Sequence, residues 1–202
     1  MREGQKAYYG EYAAELEKTL DKVLGELKRI LEGIAEDPEQ APFEHLISRV
    51  KSEESAMAKL TLRGHETDAR SALIHLTDVL GVRVVTHFIG DIYEILEEMS
   101  VTDVWRVEQI KDYIGTPKPN GYRSLHVILR LPFGINGIDE IGVEIQLRTI
   151  AMDCWAALEH QMRYKKQVKN SPLIFGELKR CADELASADL TMQTIRDTLN
   201  EA

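Results

Sequence analysis

The apolar residues of this chain change period twice, and that change restricts its fold more than any other feature. From Tyr9 to about Leu31 they recur at Leu16, Leu20, Leu24, Leu27 and Leu31 with charges between them, the stripe of an amphipathic helix. The segment from Glu36 to Pro42, with Pro38 and Pro42, ends that helix. Spacing through Leu46, Val50 and Met57 toward Leu60 predicts a second helix, and His65 to Leu76 a third. After Gly81 the pattern turns to strands: the β-branched run Val82 to Ile89, a short strand within Val101 to Ile110, then Tyr122 to Leu131 and Ile141 to Leu147. Asp91 to Met99 is helical in spacing, and the turn-rich stretch Pro132 to Gly142 joins the last two strands. Helical spacing returns in Ala151 to Lys166 and Pro172 to Asn200. The implied class is α+β, a sheet of four or five strands with helices packed around it.

A chain of 202 residues, 44% hydrophobic, supports one domain with a real core and is short of two. No apolar run is long enough to span a membrane and the N-terminus has no signal-peptide core, so a cytoplasmic protein is expected. Cys154 and Cys181 lie in helical patterns without C-x-x-C spacing and are expected to be reduced thiols. A net charge of −9 argues against bulk nucleic acid as a partner. It still permits a small phosphorylated substrate, because a few clustered Lys and Arg make a local positive cleft.

Four segments carry residues suited to such a substrate. The loop from Thr116 to His126, broken by Pro117, Pro119 and Gly121, offers Tyr122 for stacking on a base and Lys118, Arg123 and His126 for phosphates; an ordinary hairpin turn is the alternative. On Val143 to Thr149, Glu144, Gln146 and Arg148 share one strand face and Val143, Ile145 and Leu147 the other. A carboxylate in so apolar a strand needs a partner, a metal or a substrate hydroxyl, unless that face is solvated. Asp78 stands at a helix-to-strand junction and Arg83 near the start of the strand. Asp78 either turns the chain or, with Glu144, forms a Mg²⁺ site of two carboxylates completed by substrate phosphates. Finally, Lys51, Ser55 and Lys59 recur every four residues beside Arg49, a stripe able to hold a triphosphate or else a solvated face paired with Glu53 and Glu54.

Together and in this order, these segments resemble the synthetase domain of the RelA/SpoT family, over roughly Phe43 to Lys166. The most specific pieces are Asn120 to His126 (NGYRSLH), Glu144 to Thr149 (EIQLRT) and Ala151 to His160 (AMDCWAALEH). The short length is similar to that of the stand-alone small alarmone synthetases. The resemblance implies a nucleotidyltransferase-like mixed sheet with helices on its faces and transfer of pyrophosphate from ATP to the ribose 3′-hydroxyl of GDP or GTP. It further implies a single synthetase domain, 1–202, with a core of about 43–166, terminal helices at 9–34 and 172–200, and no hydrolase half. Arg49 and Arg83 would sandwich adenine, with Lys51, Ser55 and Lys59 on the ATP phosphates and Asp78 on Mg²⁺. Glu144 would be general base or second metal ligand. Tyr122 would stack on guanine, with Lys118, Arg123 and His126 near the acceptor phosphates, Gln146 and Arg148 on the site floor, and Asp153 at the guanine edge, where the family often has Asn. Members are often homotetramers, and a product site between subunits would begin near Phe43, Glu44 and His45. Related toxic enzymes that act on tRNA 3′ ends or adenosine nucleotides, and a catalytically inactive guanine-nucleotide sensor, are the alternatives.

Overall fold

The computed structural model describes residues 1–35, 41–132, 134–164 and 171–201. It bears out the α+β expectation with one mixed five-stranded sheet. Its strands are β1 (Phe43–Val50), β2 (Leu80–Thr86), β3 (Arg106–Asp112), β4 (Leu125–Leu131) and β5 (Ile141–Thr149). Their spatial order is β1-β2-β5-β4-β3, with β2 and β5 parallel and every other pair antiparallel. The helices are α1 (Glu3–Tyr9), α2 (Ala13–Gly33), α3 (Glu53–Arg63), α4 (Ala69–His75), α5 (Ile89–Val101), α6 (Ile150–Tyr164) and α7 (Ser171–Asn200). The expected break at Pro38 and the expected end of the helix at Lys166 fall outside the described residues.

The period of two sorts β2, β4 and β5 into a core face and a polar face. Leu80, Val82, Val84, Leu125, Val127, Leu129, Val143, Ile145 and Leu147 are at most 2% exposed and form one cluster with Leu16, Val23, Leu27 and Leu31 of α2 and Ile92, Ile95 and Met99 of α5. The leucine stripe of α2 therefore meets the apolar side of the sheet, at roughly 1.5–3 kcal/mol for each large side chain buried. That leaves Glu144, Gln146, Arg148, Arg83 and His126 together on the opposite side.

One expected helix is a strand. Residues 43–50 form the edge strand β1, and the helix begins only at Glu53, behind the N-cap Ser52 whose hydroxyl accepts from the Ser55 amide. Leu46 and Val50 share helical spacing with Met57 and Leu60, but pairing with the open edge of β2 prevails, with a register shift between Phe43 and His45. Arg49, Lys51, Ser55 and Lys59 are thus not one helical stripe. Arg49 is on β1, Lys51 follows it, and Ser55 and Lys59 are on α3. At the N-terminus, a short helix and a 3-10 turn at Gly10–Tyr12 precede the long one, which starts at Ala13 instead of Tyr9.

Candidate functional site

Strand register assembles the site. Arg49 stands opposite Gly81, which stands opposite Glu144; Arg83 stands opposite Gln146, which stands opposite His126. With no side chain at Gly81, Arg49 lies across it, its Cγ and Nε 3.7 Å from where a Cβ would be.

Glu144 sits at the centre of this face. His126 Nδ1 is 3.2 Å from its Oε1, and Gln146 Nε2 donates to Oε2 at 2.8 Å. The Tyr122 hydroxyl meets His126 Nε2 at 2.8 Å and accepts from Arg148 Nη2 at 2.7 Å. A neutral His126 with its proton on Nδ1 satisfies every member of this chain: arginine donates to tyrosine, tyrosine to histidine, histidine to glutamate. Burial pushes the Glu144 carboxyl up and Asp78 adds to this, but His126 and Gln146 prevail and hold it below the usual glutamate range. Glu144 is therefore ionised at neutral pH.

Asp153, in the first turn of α6, closes the upper end of the face. Its Oδ1 takes Arg83 Nη1 at 3.1 Å and Arg148 Nη1 at 3.0 Å, with His45 4.0 Å from Oδ2. Burial, with Arg148 and Arg49 nearby, lowers the Arg83 pKa, and Arg83 Nε is buried without a hydrogen-bond partner. The three arginines concentrate positive charge on this face of an acidic protein.

At the lower end, Asp78 lies between α4 and β2. Lys51 and Lys59, from different elements, both donate to its Oδ2, at 2.7 and 2.9 Å. Burial raises the Asp78 pKa and the two lysines more than reverse the shift, so it too is ionised. Its Oδ1 is buried with no hydrogen-bond partner. A buried anionic oxygen without a donor suits a cation better than a bare protein interior, and among the described residues no group of three or more His, Cys, Asp or Glu forms a metal site of its own. An open cleft of about 660 Å³ adjoins this end, bounded by Arg49, Lys51 and Ser55 on one side and by Arg2 and Gln5 on the other.

The loop ahead of β4 supplies the aromatic wall. The Lys118 ammonium lies 4.9 Å from the ring centre of Tyr122 and 4.4 Å from that of Tyr113. Tyr122, His126, Gln146, Arg148, Arg83 and Asp153 thus converge with Glu144, and Lys51 and Lys59 converge on Asp78. Arg123 is directed elsewhere, with its guanidinium on α7.

Sequence spacing did not bring out Tyr113, whose only sign is a second aromatic in the connection between β3 and β4. Nor did it bring out Gln5 and Tyr9 of α1. Gln5 Nε2 donates to Val50 O at 2.6 Å and the Tyr9 hydroxyl to Lys51 O at 3.0 Å, fixing the backbone that carries Lys51. These contacts span more than forty residues and leave no local pattern.

The sequence matches the profile of the region found in RelA / SpoT proteins across residues 48–169. It is 44% identical over 143 residues to the GTP pyrophosphokinase YwaC of Bacillus subtilis, covering 70% of this chain and 68% of the relative. It is 30% identical over 185 residues to GTP pyrophosphokinase YjbM of the same organism, covering 88% and 85%. Among solved structures it is similar to small alarmone synthetase 2 of Bacillus subtilis, with a TM-score of 0.77 at 36% identity over 91% of this chain and 96% of that one. Small alarmone synthetase 1, solved with its product pppGpp, gives a TM-score of 0.79 at 26% identity over 94% and 96%. With the motif-bearing strands and loop inside the matched region, the chain belongs to the RelA/SpoT family.

Proposed function

We propose that this chain is a GTP pyrophosphokinase that makes the alarmones ppGpp and pppGpp by transferring pyrophosphate from ATP to the 3′-hydroxyl of GDP or GTP. The observation that carries this reading is the pair of ionised carboxylates on one polar face, Asp78 with an unpartnered oxygen and Glu144 held anionic by His126. The relatives named GTP pyrophosphokinase support it.

Arg49 and Arg83 hold the donor base, while Lys51, Ser55 and Lys59 take the ATP phosphates, the lysines moving off Asp78 as the triphosphate arrives. Asp78, and Glu144 if it serves as second ligand, hold Mg²⁺. When bound, Mg²⁺ neutralises charge on the phosphate oxygens. Glu144 accepts the proton of the 3′-hydroxyl, whose oxygen bonds to the β-phosphorus of ATP as the bond between that phosphorus and the α,β-bridging oxygen breaks and AMP leaves. Family likeness supports Lys118, with His126 beside it, near the acceptor phosphates, Gln146 and Arg148 on the floor, and Asp153 at the guanine edge; Arg123, turned onto α7, is not assigned to the phosphates. Such chemistry depends on in-line placement and charge neutralisation more than on covalent catalysis. The proposal extends to a cytoplasmic, single-domain homotetramer without hydrolase activity, to be tested by light scattering and by incubation with ppGpp. Among the described residues no helix is long and apolar enough to cross a membrane.

The direct test incubates purified protein with γ-labelled ATP, Mg²⁺ and GDP, GTP or uncharged tRNA in parallel. Label is expected on the guanosine nucleotides. Label on tRNA alone or on no acceptor overturns the reading.

Tyr122→Ala removes the surface on which guanine would replace the Lys118 ammonium. Base stacking on an aromatic contributes about 1–3 kcal/mol, so acceptor KM is expected to rise roughly 5- to 150-fold with ATP KM little changed. Steady-state kinetics with each substrate varied in turn measures both, and an unchanged acceptor KM would remove Tyr122 from this role.

A further inference from the structure

The acceptor loop does not hold its shape alone. Gly121 has φ +91°, a conformation glycine adopts readily, and a Cβ there would stand 2.6 Å from the Ala182 Cβ and 3.3 Å from the Lys179 Cα. The loop therefore lies directly on the backbone of α7. Arg123 locks it there: Nη1 donates to Gly121 O and to Ala182 O, each at 3.2 Å, and Nη2 to Asp183 Oδ1 at 2.9 Å. Its side chain is only 16% exposed. Helix α7 is itself tied to the scaffold at separate points. Trp155 Nε1 of α6 donates to Leu178 O at 2.8 Å, and Thr149 at the end of β5 donates to Asp189 at 2.5 Å. Gly90 N at the start of α5 donates to Gln193 at 2.8 Å, beside the ion pair of Arg196 with Asp91.

We infer that Arg123 and Asp183 form a clamp that positions the acceptor-binding loop on α7, so that Arg123 is a positioning residue and not a phosphate ligand. Both terminal nitrogens of Arg123 are engaged by protein oxygens on the loop and on α7, and both ring nitrogens of His126 by Tyr122 and Glu144, which leaves Lys118 for an anion. The clamp holds Gly121, adjacent to Tyr122, and through it the ring that guanine would stack on. Inside the loop, Gly121 N donates to Lys118 O at 2.8 Å, Lys118 N to Tyr122 O at 3.2 Å, and Tyr122 N to Asn120 Oδ1 at 3.2 Å. Lys118 and Tyr122 are therefore tied to Gly121 by hydrogen bonds. Asp183 touches no site residue except through Arg123, and its exposed place on α7 makes it replaceable without harm to the core.

The inference rests on the acceptor role proposed above for this loop. Its test is Asp183→Ala, with Asp183→Glu as the charge-retaining control. Calorimetry would follow GMP, GDP and GTP binding, and kinetics the ATP KM. The alanine variant is expected to lose affinity for all three guanosine nucleotides to a similar extent, about 5- to 20-fold, a modest energetic change. The glutamate variant should stay within about twofold of wild type, and ATP KM should not move. If Arg123 were a phosphate ligand, releasing it from Asp183 would leave affinity unchanged or improve it, or the effect would grow from GMP to GTP; any of these overturns the clamp. Amide exchange over residues 118–123 without nucleotide provides a second measurement. Faster exchange in Asp183→Ala is expected, and unchanged exchange refutes the clamp. Should wild-type protein bind no guanosine nucleotide, the acceptor reading fails by itself and amide exchange still decides the clamp.

Discussion

Asp78→Asn is expected to lower turnover by about 10²–10³-fold, the range typical for removing one charge-stabilising group from a polar active site. Asp78 is both the proposed anchor of the metal and the counter-charge that collects Lys51 and Lys59 at one point. Asparagine keeps the shape and loses the anion, so the buried Oδ1 position no longer attracts a cation, and the lysines lose the partner that positions them before ATP arrives. Stability should fall too, by about 2–3 kcal/mol; breaking a buried ion pair can cost more, but Lys59 reaches solvent and shares the strain. In a chain of this size that is a melting shift of about 4–12 °C. Because the Asp78 pKa is depressed in the folded state, its stabilisation is complete above the ordinary aspartate value and is lost as pH falls through the folded value. The gap in melting temperature between wild type and Asp78→Asn should therefore be largest near neutral pH and close in acid. Turnover at saturating ATP, measured well below both melting temperatures, separates the two effects. A rate within tenfold of wild type would exclude Asp78 from the chemistry.

How legible the site was in the sequence depends on the distance over which its contacts act. The alternation in β5 is local, so the shared face of Glu144, Gln146 and Arg148 followed from strand geometry, and pairing with β4 and β2 brought His126 and Arg83 to it. β1 misled because Leu46 and Val50 continue the helical spacing of Met57 and Leu60, while the deciding influence, the open edge of β2, is non-local. The same misreading put Lys51 and Lys59 on one helix. They do act together, but because a strand end and a helix converge on Asp78. Arg123 is the extreme case: its residue type fits a phosphate ligand, and only packing against a helix sixty residues away shows its partner. The α1 contacts to the backbone of Val50 and Lys51 are equally remote, and a glutamine and a tyrosine on a short helix carry no mark of them.

These long contacts share a logic. Groups that meet substrate sit on strands and loop ends, while helices at the two chain ends fix the backbone beneath them: α1 under Lys51 on the donor side, α7 under Gly121 on the acceptor side. Substituting Tyr9 or Asp183 therefore tests orientation, whereas substituting residues of the polar face tests chemistry.

Glu144→Gln belongs to the second kind and is expected to lower kcat by about 10²–10⁴-fold, the usual contribution of a positioned general base. Substrate KM values should change little. Glutamine can still accept from His126 Nδ1, while turning Gln146 to accept from its amide nitrogen gives up only the bond from Arg148 at 3.2 Å, so the loss of melting temperature should be small and the defect chiefly chemical. Proton affinity supplies an independent readout. Burial favours the neutral carboxyl, and His126 and Gln146 reverse that preference, so the acid limb of kcat/KM, governed by Glu144, should lie below the ordinary glutamate value. His126→Asn removes the larger of the two opposing influences while leaving a polar side chain in place. Burial and the Asp78 charge then act with less opposition, and the acid limb is expected to move to higher pH. A rate for Glu144→Gln within tenfold of wild type would end the general-base assignment. A lost rate with an acid limb unmoved in His126→Asn would retain Glu144 as a metal ligand whose charge His126 does not control.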